Sequence, residues 1–214
     1  MLQIAPFEKH VAEYDEWFEK HPFVYETELA ALRRQMLTLP ENLVGLEVGV
    51  GTGRYAAPLG IKEGVEPSEE MAKRAVRRGV EVVNARAEKL PYRDIHFDFV
   101  LIVTICHLDK VPEAFAEAYR VLKPGGVLIV GFLDGDGVIA KRYEERRNQS
   151  TFYRHATFYR VNRVEEMLKK AGFANLQIIQ TLFGELEEIN EVQDSRQGYG
   201  EGSFVVVKAV KKLG

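Results

Sequence analysis

Apolar positions near the start of the chain recur with a helical period. Phe7, Val11, Tyr14 and Phe18 fall at i, i+4, i+7 and i+11, which is one face of a helix. The pattern continues through "ETELAALRRQML", so residues 7–38 are predicted to form two helices. Pro40 and Asn42 mark the loop that ends them. After that the period shortens. "NLVGLEV", "IKEGVEPS", "VEVVNA", "FDFVLIVT" and "VLIVGF" read as five short buried strands. Helices are predicted between them. In "SEEMAKRAVRRG", Ser68 is a good N-cap, Glu69 and Glu70 suit the first turn, and Gly79 ends the helix. "VPEAFAEAYRVLKPGG" is a helix stopped by Pro124-Gly125-Gly126. Strands alternating with helices predict a parallel sheet covered on both faces.

The end of the chain breaks this alternation. "RVEEMLKKAGF" is a helix, and "NLQIIQTLF" and "SFVVVKAV" are strands. The stretch between those strands, "GELEEINEVQDSRQGYGEG", holds no apolar helix. Without a crossover helix the last two strands are expected to pair antiparallel. The predicted architecture is an α/β fold: a seven-stranded, mostly parallel sheet with an antiparallel C-terminal edge and helices on both faces.

The glycine-rich stretch "GLEVGVGTGR" follows the first strand. In an open α/β sheet, ligands bind outside the carboxyl ends of the strands. Gly49, Gly51 and Gly53 permit positive φ and close backbone approach, so the loop is expected to hug a ligand. Its G-x-G-x-G spacing places the third glycine one position earlier than a dinucleotide fingerprint requires. Glu66 ends the second strand, where a carboxylate can accept hydrogen bonds from both ribose hydroxyls.

Composition narrows the classes. The 214 residues are 46% hydrophobic and 29% charged, an ordinary profile for one soluble domain. The net charge of −3 gives no footprint for nucleic acid, and "KRYEERR" is interrupted by Glu144 and Glu145 and reads as a solvated helix face. The single cysteine, Cys106, excludes an internal disulfide and any metal site that needs several thiolates. No apolar run approaches the ~20 residues of a membrane span, and the first ten residues lack a signal-peptide pattern. A cytoplasmic, soluble protein is expected, with no nucleic-acid partner and no metal; a homodimer is compatible.

Five segments in register, "LEVGVGTGR", "VEPSEEM", "ARAEKLPYRD", "FDFVLIVTICHL" and "RVLKPGGVLIVG", resemble the class I S-adenosylmethionine-dependent methyltransferases, type 11, the ubiquinone-biosynthesis-like group. The similarity covers residues 43–131, and "FYRHATFYRVNRVEEMLKKAGF" is similar to the segment that follows the family's sheet. The resemblance implies a Rossmann-like fold and S-adenosyl-L-methionine as cofactor. It implies that Gly49, Gly51 and Gly53 cradle the methionine half, that Glu47 orients the loop and the cofactor's amino group, and that Glu66 binds the ribose. Pro67 and Met71 would pack near the adenine, with Ala87 and Glu88 at its edge. Val103 and Thr104 would present a backbone carbonyl to the amine, and Tyr14 would close over the cofactor. Arg86 departs from the family's usual acid before "A-E", which removes an acceptor for the adenine amino group. The short segment "RYAAPLGIKEG", with Pro58, implies a first helix clipped to about two turns.

The expected reaction is in-line methyl transfer to a small-molecule acceptor. The rivals are an NAD-dependent oxidoreductase and a non-catalytic binding module. His107, just past the fourth strand, is the candidate base; the alternative is a histidine that lines the pocket. Cys106 reads as a small buried apolar residue rather than a nucleophile. Aromatic walls are expected from Tyr14, Trp17, Phe18, Phe23 and Tyr25, and from Phe152, Tyr153, Phe158 and Tyr159. Such walls suit an amine, a planar ring or a quinone-like molecule, or simply hold the cap to the domain. The expected organisation is one domain over 1–214: an N-terminal helical cap at 1–42, the cofactor-binding core at 43–131, a lid over the acceptor pocket at 132–160, and a C-terminal helix with an antiparallel strand pair at 161–214.

Overall fold

The computed structural model describes residues 4–212. Three helices come first: α1 (Ile4–Lys9), α2 (Val11–Lys20) and α3 (Pro22–Met36). Sequence periodicity predicted two. The chain leaves the helical region at His10 (φ −119°) and His21 (φ −124°), and Pro22 starts α3 at a position where its missing N–H is harmless.

The strands are β1 (Gly45–Val48), β2 (Glu63–Val65), β3 (Glu81–Val83), β4 (Phe97–Val103), β5 (Leu122–Leu133), β6 (Phe173–Thr181), β7 (Arg196–Gln197) and β8 (Phe204–Lys211). They form one sheet in the order β3-β2-β1-β4-β5-β8-β6-β7. The first five run parallel to one another. The last strand, β8, inserts antiparallel between β5 and β6. The strand beyond the seven expected is β7, a two-residue ribbon on β6. Both its residues are exposed, so no apolar alternation announces it.

The remaining helices are α4 (Ala56–Leu59), α5 (Glu69–Arg77), α6 (Val111–Val121), α7 (Val138–Glu145) and α8 (Val161–Lys170). Alternate strand residues feed two cores. Val100, Ile102, Leu128 and Val130 pack with α6 and α8. Leu101, Val103 and Ile129 pack with α3, α4, α5 and α7 on the other face. Two boundaries differ from expectation. Helix α4 is a single turn closed by Gly60 (φ 75°), not two turns. Helix α6 ends at Val121, before Pro124. Pairing of Phe97 with Leu122 resumes at Phe99 with Val127, so residues 123–126 form a bulge at the start of β5 rather than a helix cap.

The expected "KRYEERR" face is α7 and its exit. Arg142 pairs with Glu145 and Glu185, and Arg147 with Glu144, all near solvent. Among the described residues no helix is long and apolar enough to cross a membrane.

Candidate active site

The strand order reverses between β1 and β4, and there the carboxyl ends open onto one cavity of about 180 Å³. Glu47 lies in β1. Its neighbours Leu46 and Val48 face the α6/α8 core, so the two-residue period turns Glu47 toward the opposite face, where the cavity is. Glu47 is 1% exposed, and Oε2 has no hydrogen-bond partner among the described residues. Burial pushes its carboxyl well above the ordinary range; a backbone N–H from Ala56 opposes this and Glu66 adds to it.

Glu66 follows β2. One carboxylate oxygen accepts from Gly51 N (3.0 Å) and the other from Ser68 N (2.9 Å). The side chain is thereby fixed between the glycine loop and the start of α5, with lone pairs left toward the cavity. Burial raises its pKa to about 7, against the lowering effect of those two bonds. Ser68 caps α5 as its sequence predicts, accepting from Met71 N at 3.3 Å.

The three glycines divide. All have positive φ: 72° at Gly49, 55° at Gly51 and 81° at Gly53. A Cβ on Gly49 would meet nothing within 4 Å, and Gly49 and Gly51 border the cavity. Gly53 does not. A Cβ there would stand 3.1 Å from Ala75 Cα, so this glycine lets α5 pack against the loop. The sequence placed Gly53 in the cradle; in the structure it packs on α5 and stands outside the cavity lining.

Tyr14, Pro67, Met71, Ala87, Glu88, Val103, Thr104 and His107 all line the same cavity. Thr104 holds a left-handed conformation (φ 65°) at the tip of β4, with its N–H bonded to Gly131 O at 2.8 Å. Glu88 accepts from Lys110 N (3.1 Å) and pairs with Arg86 (3.4 Å), which also binds Asp109. Arg86 thus draws a second acid, Asp109, to this rim.

His107 is wedged between Phe7 (ring centroids 4.9 Å apart) and Tyr153 (5.3 Å). Burial lowers its pKa to about 4, so the imidazole is neutral but a weak base. Phe7 and Tyr153, from two other segments, supply much of that burial. Cys106 is buried and its thiol pKa is pushed up, which leaves it unreactive. His155 is exposed.

Of the expected aromatic walls, Tyr14, Trp17, Phe18, Phe152 and Tyr153 reach the cavity. Phe23 is 41% exposed, and Tyr25, Phe158 and Tyr159 lie outside the lining. Several lining residues escaped sequence reasoning, four of them polar or aromatic groups. Glu28 on α3, Tyr55 in the glycine-loop exit and Tyr143 on α7 form its inner end, and Arg54 lies beside them. Tyr55 donates to Glu28 Oε2. Only the i, i+3/i+4 burial of Glu28 among Val24, Leu29 and Leu32 could have flagged it.

A further residue, Asp15, ties the cap to the loop. Its carboxylate accepts from Thr52 Oγ1 (2.8 Å), Arg54 Nε (3.1 Å), Arg74 (2.8 Å) and Arg78 (3.0 Å). Burial would raise its pKa, but these four donors hold it at about 2. Among the described residues no cluster of His, Cys, Asp or Glu is arranged to hold a metal ion.

The lining suits S-adenosylmethionine on the chain's own terms. An orphaned buried carboxylate (Glu47) can meet an ammonium, an oriented carboxylate (Glu66) can meet a diol, and Gly49 leaves space at the loop. The family profile for a methyltransferase domain matches residues 46–130. An uncharacterised protein of Methanocaldococcus jannaschii is 45% identical over 206 residues, covering 96% of this chain and 98% of that one. A crystal structure from Thermotoga maritima, described as an S-adenosylmethionine-dependent methyltransferase and possible histamine N-methyltransferase, is also 45% identical. It aligns with a TM-score of 0.93 over 98% of this chain and 100% of its own. The phosphoethanolamine N-methyltransferase 2 of Haemonchus contortus, solved with phosphomonomethylethanolamine and S-adenosylhomocysteine, shares the fold at 20% identity. Its TM-score is 0.66 over 88% of this chain and 53% of that one. The chain is a methyltransferase that uses S-adenosyl-L-methionine, and it belongs to the type 11 group of the class I family.

Proposed function

We propose that this protein transfers a methyl group from S-adenosylmethionine to a small-molecule acceptor held at the inner, aromatic end of the cavity. The observation that carries this reading is the continuity of one cavity, from the glycine loop to Trp17, Phe18, Tyr55 and Tyr143. A space roofed by α2, α3 and α7 suits a compact molecule better than a polymer. The histamine suggested for the Thermotoga relative is a molecule of that kind.

In this reading Glu47 holds the cofactor's ammonium and Glu66 its ribose hydroxyls. Pro67 and Met71 flank the base, and the backbone at Ala87–Glu88 meets its edge. The bound cofactor supplies a methyl group on a sulfonium, whose departure as a neutral thioether makes the displacement favourable. The chain then has to align and desolvate. Tyr14, packed on Phe18 (5.2 Å) and Phe152 (5.8 Å), covers the loop and excludes water. In this reading His107 is a wall of the cavity, its basicity lowered by burial.

Methyl-labelled S-adenosylmethionine incubated with the protein and separate pools of small amines, phenols, thiols, peptides and RNA tests the proposal. Label is expected in a small-molecule pool, with stoichiometric S-adenosylhomocysteine. Label confined to peptide or RNA would overturn it.

A further inference from the structure

The cavity's charges do not balance, and the imbalance is local. Arg54 is matched by Asp15 and Glu19, and Arg86 by Glu88 and Asp109. Glu28, Glu47 and Glu66 remain on the lining with no arginine or lysine paired to any of them among the described residues. In the methyl-transfer reading, on which this inference rests, Glu47 and Glu66 meet the cofactor. Glu28 is left over. It is 7% exposed, on α3, at the inner end of the cavity. A buried carboxylate without a countercharge is costly unless a ligand supplies one.

Its surroundings describe that ligand. Oε2 accepts from Tyr55 OH, a bond that leaves Oε1 unused. Trp17, Phe18, Tyr55, Tyr143 and Tyr153 line the same space; Tyr143 and Tyr153 stack on each other (4.2 Å), and Arg54 stands over Phe18. The Tyr143 hydroxyl is buried and unpartnered, lying near Trp17 and Tyr153 without a hydrogen bond of acceptable geometry. A carboxylate without a countercharge, a buried hydroxyl and aromatic walls suit an ammonium head on an apolar body.

We propose that the acceptor is a small primary or secondary amine with an apolar body, and that Glu28 is the group that binds its nitrogen and takes its proton. A protonated amine has no free lone pair and cannot attack. Transfer of one N–H proton to Glu28 Oε1 frees that pair. The nitrogen then forms the bond to the methyl carbon as the carbon–sulfur bond breaks, and that pair stays on sulfur. The product is a methylated ammonium beside neutral S-adenosylhomocysteine, and the proton on Glu28 leaves to solvent. Burial raises Glu28 to about 7, which suits it to this exchange near neutral pH.

The test is calorimetric and needs no turnover. S-adenosylhomocysteine is titrated first into the wild-type protein and Glu28→Gln, which keeps an oxygen to accept from Tyr55. The loaded proteins are then titrated with 2-phenylethylamine and n-butylamine and with the matching alcohols. At least one amine is expected to bind wild type about tenfold or more tightly than its alcohol. Glu28→Gln is expected to abolish that preference while S-adenosylhomocysteine still binds. Equal binding of both amines and their alcohols to wild type overturns the proposal, and so does an amine preference that survives in Glu28→Gln. If the variant does not fold, the wild-type comparison alone decides. Failure of wild type to bind S-adenosylhomocysteine overturns the methyl-transfer reading, and this one with it.

Discussion

Asp15→Asn should loosen the N-terminal cap from the glycine loop. The carboxylate is held at a pKa of about 2 against an ordinary 3.8, a difference of roughly 1.8 units. At 1.36 kcal/mol per unit this corresponds to about 2.4 kcal/mol of preference for the charged form in the folded state. The arginine side chains are 17–33% exposed, so water screens part of this, and about 1–2 kcal/mol is expected to remain. The substitution also leaves Arg54, Arg74 and Arg78 facing one another without their shared anion. For a domain of this size the loss should lower Tm by about 3–8 °C at pH 7. The sign with pH follows from a depressed folded pKa. The stabilisation is complete above the unfolded value near 4 and fades as pH falls toward 2. The difference in unfolding free energy between wild type and Asp15→Asn, measured by urea titration, should therefore be constant from pH 6 to 8 and shrink below about pH 4. A difference under about 0.3 kcal/mol at pH 7, or one that grows with acid, would refute the reasoning.

Three more predictions follow from the site. Gly53→Ala should cost about 1–3 kcal/mol of stability, because φ 81° and contact with Ala75 both penalise it, while folded protein keeps its cofactor affinity. Denaturation and calorimetry on the same sample check this. Gly49→Ala carries a similar φ penalty but also points a methyl into open space at the loop, so it should weaken S-adenosylhomocysteine binding beyond any effect on stability. His107→Phe should leave the pH–rate profile between 6 and 8 unchanged in shape, since the imidazole stays neutral there; loss of a limb in that range would show that His107 titrates in the reaction.

Contiguous signals were the legible ones. The apolar runs of β1, β4 and β5 and the caps of α5 follow from local period and turn chemistry, and the glycine loop and Glu66 fall within one strand–loop–strand unit. The inner end of the cavity was not legible. Glu28, Tyr55 and Tyr143 lie on three separate elements, and only the fold brings α3 and α7 over the carboxyl ends of the strands. Asp15 was hidden for the same reason, because its partners Thr52, Arg54, Arg74 and Arg78 are distant in sequence. Gly53 shows the converse limit. Its motif position matched a ligand loop, but the neighbour that requires glycine is a helix, not a cofactor. His107 was legible as a residue just past β4, but its basicity depends on Phe7 and Tyr153, which close around it from other segments.

Glu66, held by Gly51 and Ser68, is proposed to receive the ribose of S-adenosylmethionine. Isothermal titration of wild type and Glu66→Ala with S-adenosylmethionine, S-adenosylhomocysteine and NAD tests it most directly. The first two are expected to bind and NAD is not. A loss of about 10–100-fold is expected in the variant, the equivalent of one or two hydrogen bonds to a charged group. Binding of NAD in their place, or equal affinity in wild type and Glu66→Ala, would contradict the proposal.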